Sequence, residues 1–134
     1  EEFNKSYSID GNSTASYSLS KLYFNQKKLD LALDYAQKSL QKNSSSAVAF
    51  NLQGIILNQL RRYPEAIASF QNAASLAPKD IFISINLGIA YMNNGDFDQA
   101  RQLFEKILPL VQDQALKDKV NEYLKMIKER LFCS

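Results

Sequence analysis

The chain has no histidine and no tryptophan, a single cysteine, three prolines and four glycines among 134 residues. Each shortage narrows the field. Without histidine there is no imidazole base, no Ser–His or Cys–His nucleophile pair, and the commonest nitrogen ligand for zinc is missing. Cys133 alone excludes an intrachain disulfide. A lone cysteine fits a reducing compartment without proving one; with no signal segment in this stretch it slightly favours a cytoplasmic setting but leaves the compartment unknown. So few prolines and glycines suit long helices better than many short strands. No apolar run reaches the about 18 residues a membrane-spanning helix needs, so no membrane insertion is expected. The net charge of +2 is too small a bias for a nucleic-acid partner. No paired carboxylates, phosphate loop or metal-ligand cluster stands out, so the expectation is a protein with no catalytic residues, no metal and no cofactor. The chain opens on "EEFNKS" without a methionine, as a cut end would.

What is present is repetition. "LQGIILNQLRRYPEAIASF", Leu52 to Phe70, returns 34 residues later as "NLGIAYMNNGDFDQARQLF", Asn86 to Phe104. A period of 34 divides the chain into residues 13–46, 47–80 and 81–114. Gly54 falls on Gly88, Leu57 on Tyr91, Ala66 on Ala100 and Phe70 on Phe104; the first unit holds Ser20, Tyr23, Ala32 and Ala36 at those places. A constant interval of this size is the mark of a solenoid, in which each unit buries its apolar face on its neighbours.

Each unit reads as two helices, A and B. In the second, A is expected at about Ala47–Leu60 and B at about Pro64–Leu76. Phe50, Gly54 and Leu57 share one helical face. Pro64 suits the first turn of a helix and Pro78 cannot continue one. In the third unit Asn94–Gly95 supplies the break, with Gly95 free to take the left-handed conformation and Asp96 or Asp98 offering a carboxylate to the next helix start. Lys27–Lys28 is a weaker stop in the first unit. Pro109 is expected to end or bend the last B helix. Small residues at Ser20, Gly54 and Gly88 on A, and at Ala32, Ala66 and Ala100 on B, are expected to let the paired backbones approach closely, with Tyr23, Leu57 and Tyr91 filling the space beside them.

These residues resemble the tetratricopeptide repeat. Phe50, Gly54, Ala66, Phe70 and Pro78 match its pattern in the second unit, and Leu87, Gly88, Tyr91, Ala100 and Phe104 in the third. The first keeps Leu19, Tyr23 and Ala32 but departs at Ser16, Ser20, Ala36 and Ser44. The resemblance implies an all-α, right-handed superhelical solenoid of antiparallel helix pairs. It further implies that the motif residues are structural and that ligands sit in the concave groove lined by the A helices.

Two ends remain. Residues 1–12 resemble the last turns of a preceding unit's B helix, with Phe3 in the place of Phe70. Residues 115–134 break the motif but carry one apolar stripe (Leu116, Val120, Tyr123, Leu124, Ile127, Leu131) and one charged face, as a capping helix needs.

If function lies in the groove, it lies in A-helix residues that the motif does not use. These are Tyr17, Lys21 and Phe24; Val48, Asn51, Ile55 and Asn58; and Phe82, Ile85, Ile89, Met92 and Asn93. The strip is apolar and amide-rich. It is expected to take a peptide segment or partner helix, with Ile55, Ile85 and Ile89 as anchors and Asn51 and Asn58 as orienting groups. Against this stands the plain alternative that the strip packs on the capping helix, a neighbouring A helix or a second copy. Co-chaperones of the family grip a C-terminal carboxylate with basic and Asn side chains; here those positions hold Tyr17, Lys21, Leu52, Phe82 and Asn86, and none matches. A self-associating section of a longer array, or a regulatory module of a larger enzyme, are the other functions weighed. Asn4, Asn12 and Asn43 begin glycosylation triplets, a pattern that chains rich in Asn and Ser produce often.

Overall fold

In a computed structural model the described residues, 13–133, form helices joined by short turns, with no strand among them. The helices are α1 (Ser13–Asn25), α2 (Leu29–Lys42), α3 (Ala47–Gln59), α4 (Tyr63–Leu76), α5 (Ile81–Asn93), α6 (Phe97–Ile107) and α7 (Gln114–Cys133). Residues 1–12, expected to be the remnant of an earlier B helix, lie outside the described residues. A 3-10 turn at Leu108–Leu110 follows α6, so Pro109 ends that helix as expected.

The start signals of the A helices repeat with the period. Ser46 accepts a hydrogen bond from the Ala49 backbone N–H at 3.1 Å, and Asp80 accepts from Phe82 and Ile83 at 3.0 and 3.4 Å. Asp113 accepts from Leu116 at 3.0 Å and starts α7. Asp96 departs from expectation. It precedes α6 but makes no capping bond, because its carboxylate accepts from Asn94 Nδ2 at 2.8 Å instead.

The A-to-B turns are identical in kind. The N–H groups of Lys28, Arg62 and Asp96 bond five residues back to the carbonyls of Tyr23, Leu57 and Tyr91, at 2.9, 2.9 and 2.8 Å. This closure needs a left-handed residue just before the donor. Gly95 fills that place at φ 84°, but Lys27 and Arg61 are held there at φ 62° and 64°. An L residue in this region is strained. Arg61→Gly and Lys27→Gly should each raise stability by about 0.5–1 kcal/mol. Chemical denaturation checks this, with Arg61→Ala giving no gain.

Packing inside each pair corrects one sequence expectation. Ala32, Ala66 and Ala100 are fully buried, but the glycines of α3 and α5 do not merely face alanine. A Cβ on Gly54 would lie 2.6 Å from the Phe70 ring, and one on Gly88 would lie 2.5 Å from Phe104. Glycine leaves room for an aromatic ring. In the first pair the ring is replaced by Ala36, and Ser20 is accommodated, its Oγ donating to the Ala32 carbonyl at 2.6 Å. Phe70 and Phe104 are almost wholly buried, each worth roughly 1.5–3 kcal/mol.

Consecutive helices pack in chain order. In addition α1 meets α3 and α3 meets α5 more closely than α2 meets α4 or α4 meets α6. The A helices therefore form the shorter, inner layer, and the stack curves around them. One core cluster joins α2, α3, α4 and α5; another joins α5, α6 and α7 through Ile85, Ala100, Phe104, Ile107, Val120 and Ile127.

Candidate functional site

The inner layer divides into an open part and a covered part. On α5, Ile85 is only 6% exposed and belongs to the cluster that holds Val120 and Ile127 of α7; Ile89 and Met92 are half-buried against the same cluster. Ile85 is thus core, not an exposed anchor. That cluster is shared between α6, which supplies Ala100, Phe104 and Ile107, and α7, whose Val120 and Ile127 lie seven residues apart on one face. For this stretch the packing alternative prevails.

The open part is built by α1, α3 and the start of α5. Val48 and Phe82, one period apart in the first turns of α3 and α5, are 56% and 66% exposed. Their flanking cap residues, Ser46 and Asp80, fix those first turns. Asn51, Ile55 and Asn58 are half-buried along α3; Tyr17 and Phe24 are half-buried on α1 against the same core cluster, and Lys21 is exposed between them. The Lys21 ammonium lies 5.7 Å from the Tyr17 ring centroid. Burial raises the Tyr17 phenol above its ordinary value.

The amides form a feature that the sequence reading missed. Asn86 Nδ2 donates to Asn51 Oδ1 at 3.1 Å, and Asn93 Nδ2 donates to Asn58 Oδ1 at 3.1 Å. These are two rungs between α3 and α5, seven residues or roughly 10 Å apart along the helices. Each rung uses one acceptor and one donor, leaving the Asn51 or Asn58 NH₂ and the Asn86 or Asn93 carbonyl for a ligand. The signal in the sequence was a second interval of 35, linking Asn51 to Asn86 and Asn58 to Asn93, hidden beside the main one of 34. Gln71 Nε2 also donates to the Tyr91 hydroxyl at 3.0 Å, tying α4 to α5 behind the face.

The face carries little charge. Arg62 and Glu65 form a two-pronged pair at 2.7 Å, but at the exposed A-to-B turn rather than in the groove; the hydrogen bond from Arg62 holds the Glu65 carboxyl below its usual range. Among the described residues no cluster of metal-ligating side chains occurs, and no helix is long and apolar enough to cross a membrane. The arrangement can hold a chain by amide hydrogen bonds and apolar contact.

Comparison with known proteins agrees with the fold. The TPR repeat-containing protein MJ1428 of Methanocaldococcus jannaschii is 28% identical over 99 residues, 74% of this chain and 17% of that protein, so the chain spans about a sixth of its relative's length. The first TPR of Spaghetti (RPAP3), solved bound to the HSP90 peptide SRMEEVD, superposes with a TM-score of 0.82 at 18% identity, covering 90% of this chain and 94% of that one. The TPR2B domain of yeast Sti1, solved as an Hsp70 complex, gives 0.82 at 15% identity, covering 88% and 97%. Models described as tetratricopeptide repeat match residues 17–81 and 57–120, and the chain belongs to the tetratricopeptide repeat family.

Proposed function

We propose that this chain is a non-catalytic interaction module that holds a peptide segment or partner helix on the open part of its concave face. The observation that carries the reading is the pair of amide rungs, Asn51–Asn86 and Asn58–Asn93, flanked by exposed Val48 and Phe82. Unspent amide groups can pair with a ligand backbone, and the two exposed apolar residues reward a ligand that carries its own apolar side chains. Family relatives solved with chaperone peptides support a peptide partner in general terms. The chemistry here differs from a carboxylate grip, since Tyr17, Leu52, Phe82 and Asn86 are uncharged and Lys21 is a lone cation. The anchors in this reading are Val48, Phe82 and Ile55.

Phe82→Asp tests it. Phe82 is two-thirds exposed, so stability should change by no more than about 0.5 kcal/mol. Capture from an extract of the native source, wild type against Phe82→Asp and against Leu22→Asp on another face, should show partners lost only with Phe82→Asp. Equal recovery by all three proteins contradicts the reading.

A second reading, a section of a longer self-associating array, draws on Leu22. It is 44% exposed, whereas Ile56 and Ala90, its counterparts one and two periods on, are completely buried against the preceding B helix. Light scattering across a concentration series separates the two: growth in mass that Leu22→Asp abolishes favours the array.

A further inference from the structure

Leu33 and Ile67 stand one period apart on α2 and α4, 7% and 9% exposed, in the core cluster beneath the following A helix. The next member of this series is Arg101 on α6. Its surroundings change with it. Ile67 shares its cluster with Leu87 and Ala90 of α5, and the residues one period beyond those are Asn121 and Leu124 of α7. In place of an apolar seam, α6 and α7 enclose a cleft of about 500 Å³. Arg101, Lys125 and Lys128 line it against one carboxylate, Glu105, and Leu124 and Leu131 supply apolar wall. The outer end of the Arg101 guanidinium reaches Asp98 at 3.3 Å, an exposed and weak pair. Its Nε–H is buried and has no hydrogen-bond partner among the described residues. Buried donors are almost always paired, so this orphan marks a place where the packing of α6 leaves a polar group unmet beside the cleft-lining end of Arg101.

We propose that this cleft is a second interaction site, separate from the concave face, for an acidic peptide segment with an apolar side chain. One carboxylate competes with Asp98 for the exposed outer end of the Arg101 guanidinium, a neighbouring carboxylate meets Lys125 or Lys128, and the apolar side chain rests on Leu124 and Leu131. The occupant follows from charge: three cations against Glu105 and the weakly paired Asp98 leave the cleft net positive and select an anion, and the leucines select a peptide over a bare ion.

Titration with an acetylated, amidated EELEE peptide tests this, followed by NMR at the Arg101 Nε–H and the Leu124 and Leu131 methyl groups. A QQLQQ peptide and inorganic phosphate serve as comparisons. EELEE should shift these signals saturably and QQLQQ should not. Arg101→Met, which restores the apolar character of Leu33 and Ile67, should weaken binding about tenfold or more. Lys125→Gln with Lys128→Gln, both at exposed positions, should weaken it as well and guards against a folding defect in Arg101→Met. The proposal is overturned if EELEE leaves the signals unmoved, if the variants bind as the wild type does, or if phosphate alone shifts them as strongly as the peptide.

Discussion

Gly88→Ala should destabilise the protein by about 1–2 kcal/mol, although alanine is the better helix former. The added methyl would lie 2.5 Å from Phe104 Cζ, and that ring has nowhere to go. It is fully buried and stacked on Tyr123 of α7 at 5.4 Å between centroids. Overpacking therefore outweighs the propensity gain of about 1 kcal/mol. Phe104→Ala alone should cost about 3–5 kcal/mol through lost burial and a cavity. The informative result is the double mutant. With the ring removed, Gly88→Ala should become stabilising by about 1 kcal/mol. The first repeat already has this solution, with Ser20 and Ala36 in the two places. A change of sign between backgrounds, read by urea denaturation, is the expected coupling. If Gly88→Ala stabilises the wild type too, glycine is not there to admit the ring.

Ile127→Asp should have an effect of similar size and a different distribution. Ile127 is completely buried in the cluster that joins α7 to Ile85, Ile89 and Met92. A carboxylate there has no partner, and the loss should reach about 4 kcal/mol or more. A solenoid's stability is a sum of local and nearest-neighbour terms, so the damage should stay at one end. Hydrogen exchange should show α7 losing protection first while α1 to α4 keep theirs. The uncovered isoleucines of α5 should bind a hydrophobic dye. Equal loss of protection along the whole chain would mean that α7 is not a separable cap.

The helices were legible because their signals are local. Apolar spacing, Pro64, Pro78, Pro109 and Gly95 all act within a turn or two of where they stand. The left-handed residues at Lys27 and Arg61 were less visible, since only Gly95 advertises the conformation that the other two turns share. The groove was harder still. Aligning the units at 34 sets Asn51 beside Ile85 and Asn86 beside Leu52, so neither amide rung can be seen; the bonded pairs differ by 35 because facing side chains on adjacent A helices are displaced by one residue. Ile85 and Ile89 looked like exposed groove residues because their burial depends on a cluster assembled from α6 and α7, whose residues stand well beyond them in the chain. Arg101 gave no local sign either. Its oddity appears only when it is set against Leu33 and Ile67 and the helix above them.

The most direct test of the interaction reading is a map of backbone amide shifts on adding a bound partner. The account predicts that the changes gather on the inner layer, at Lys21, Val48, Asn51, Asn58, Phe82, Asn86 and Asn93. Changes confined to the outer helices α2 and α4, with those seven residues unmoved, would contradict it.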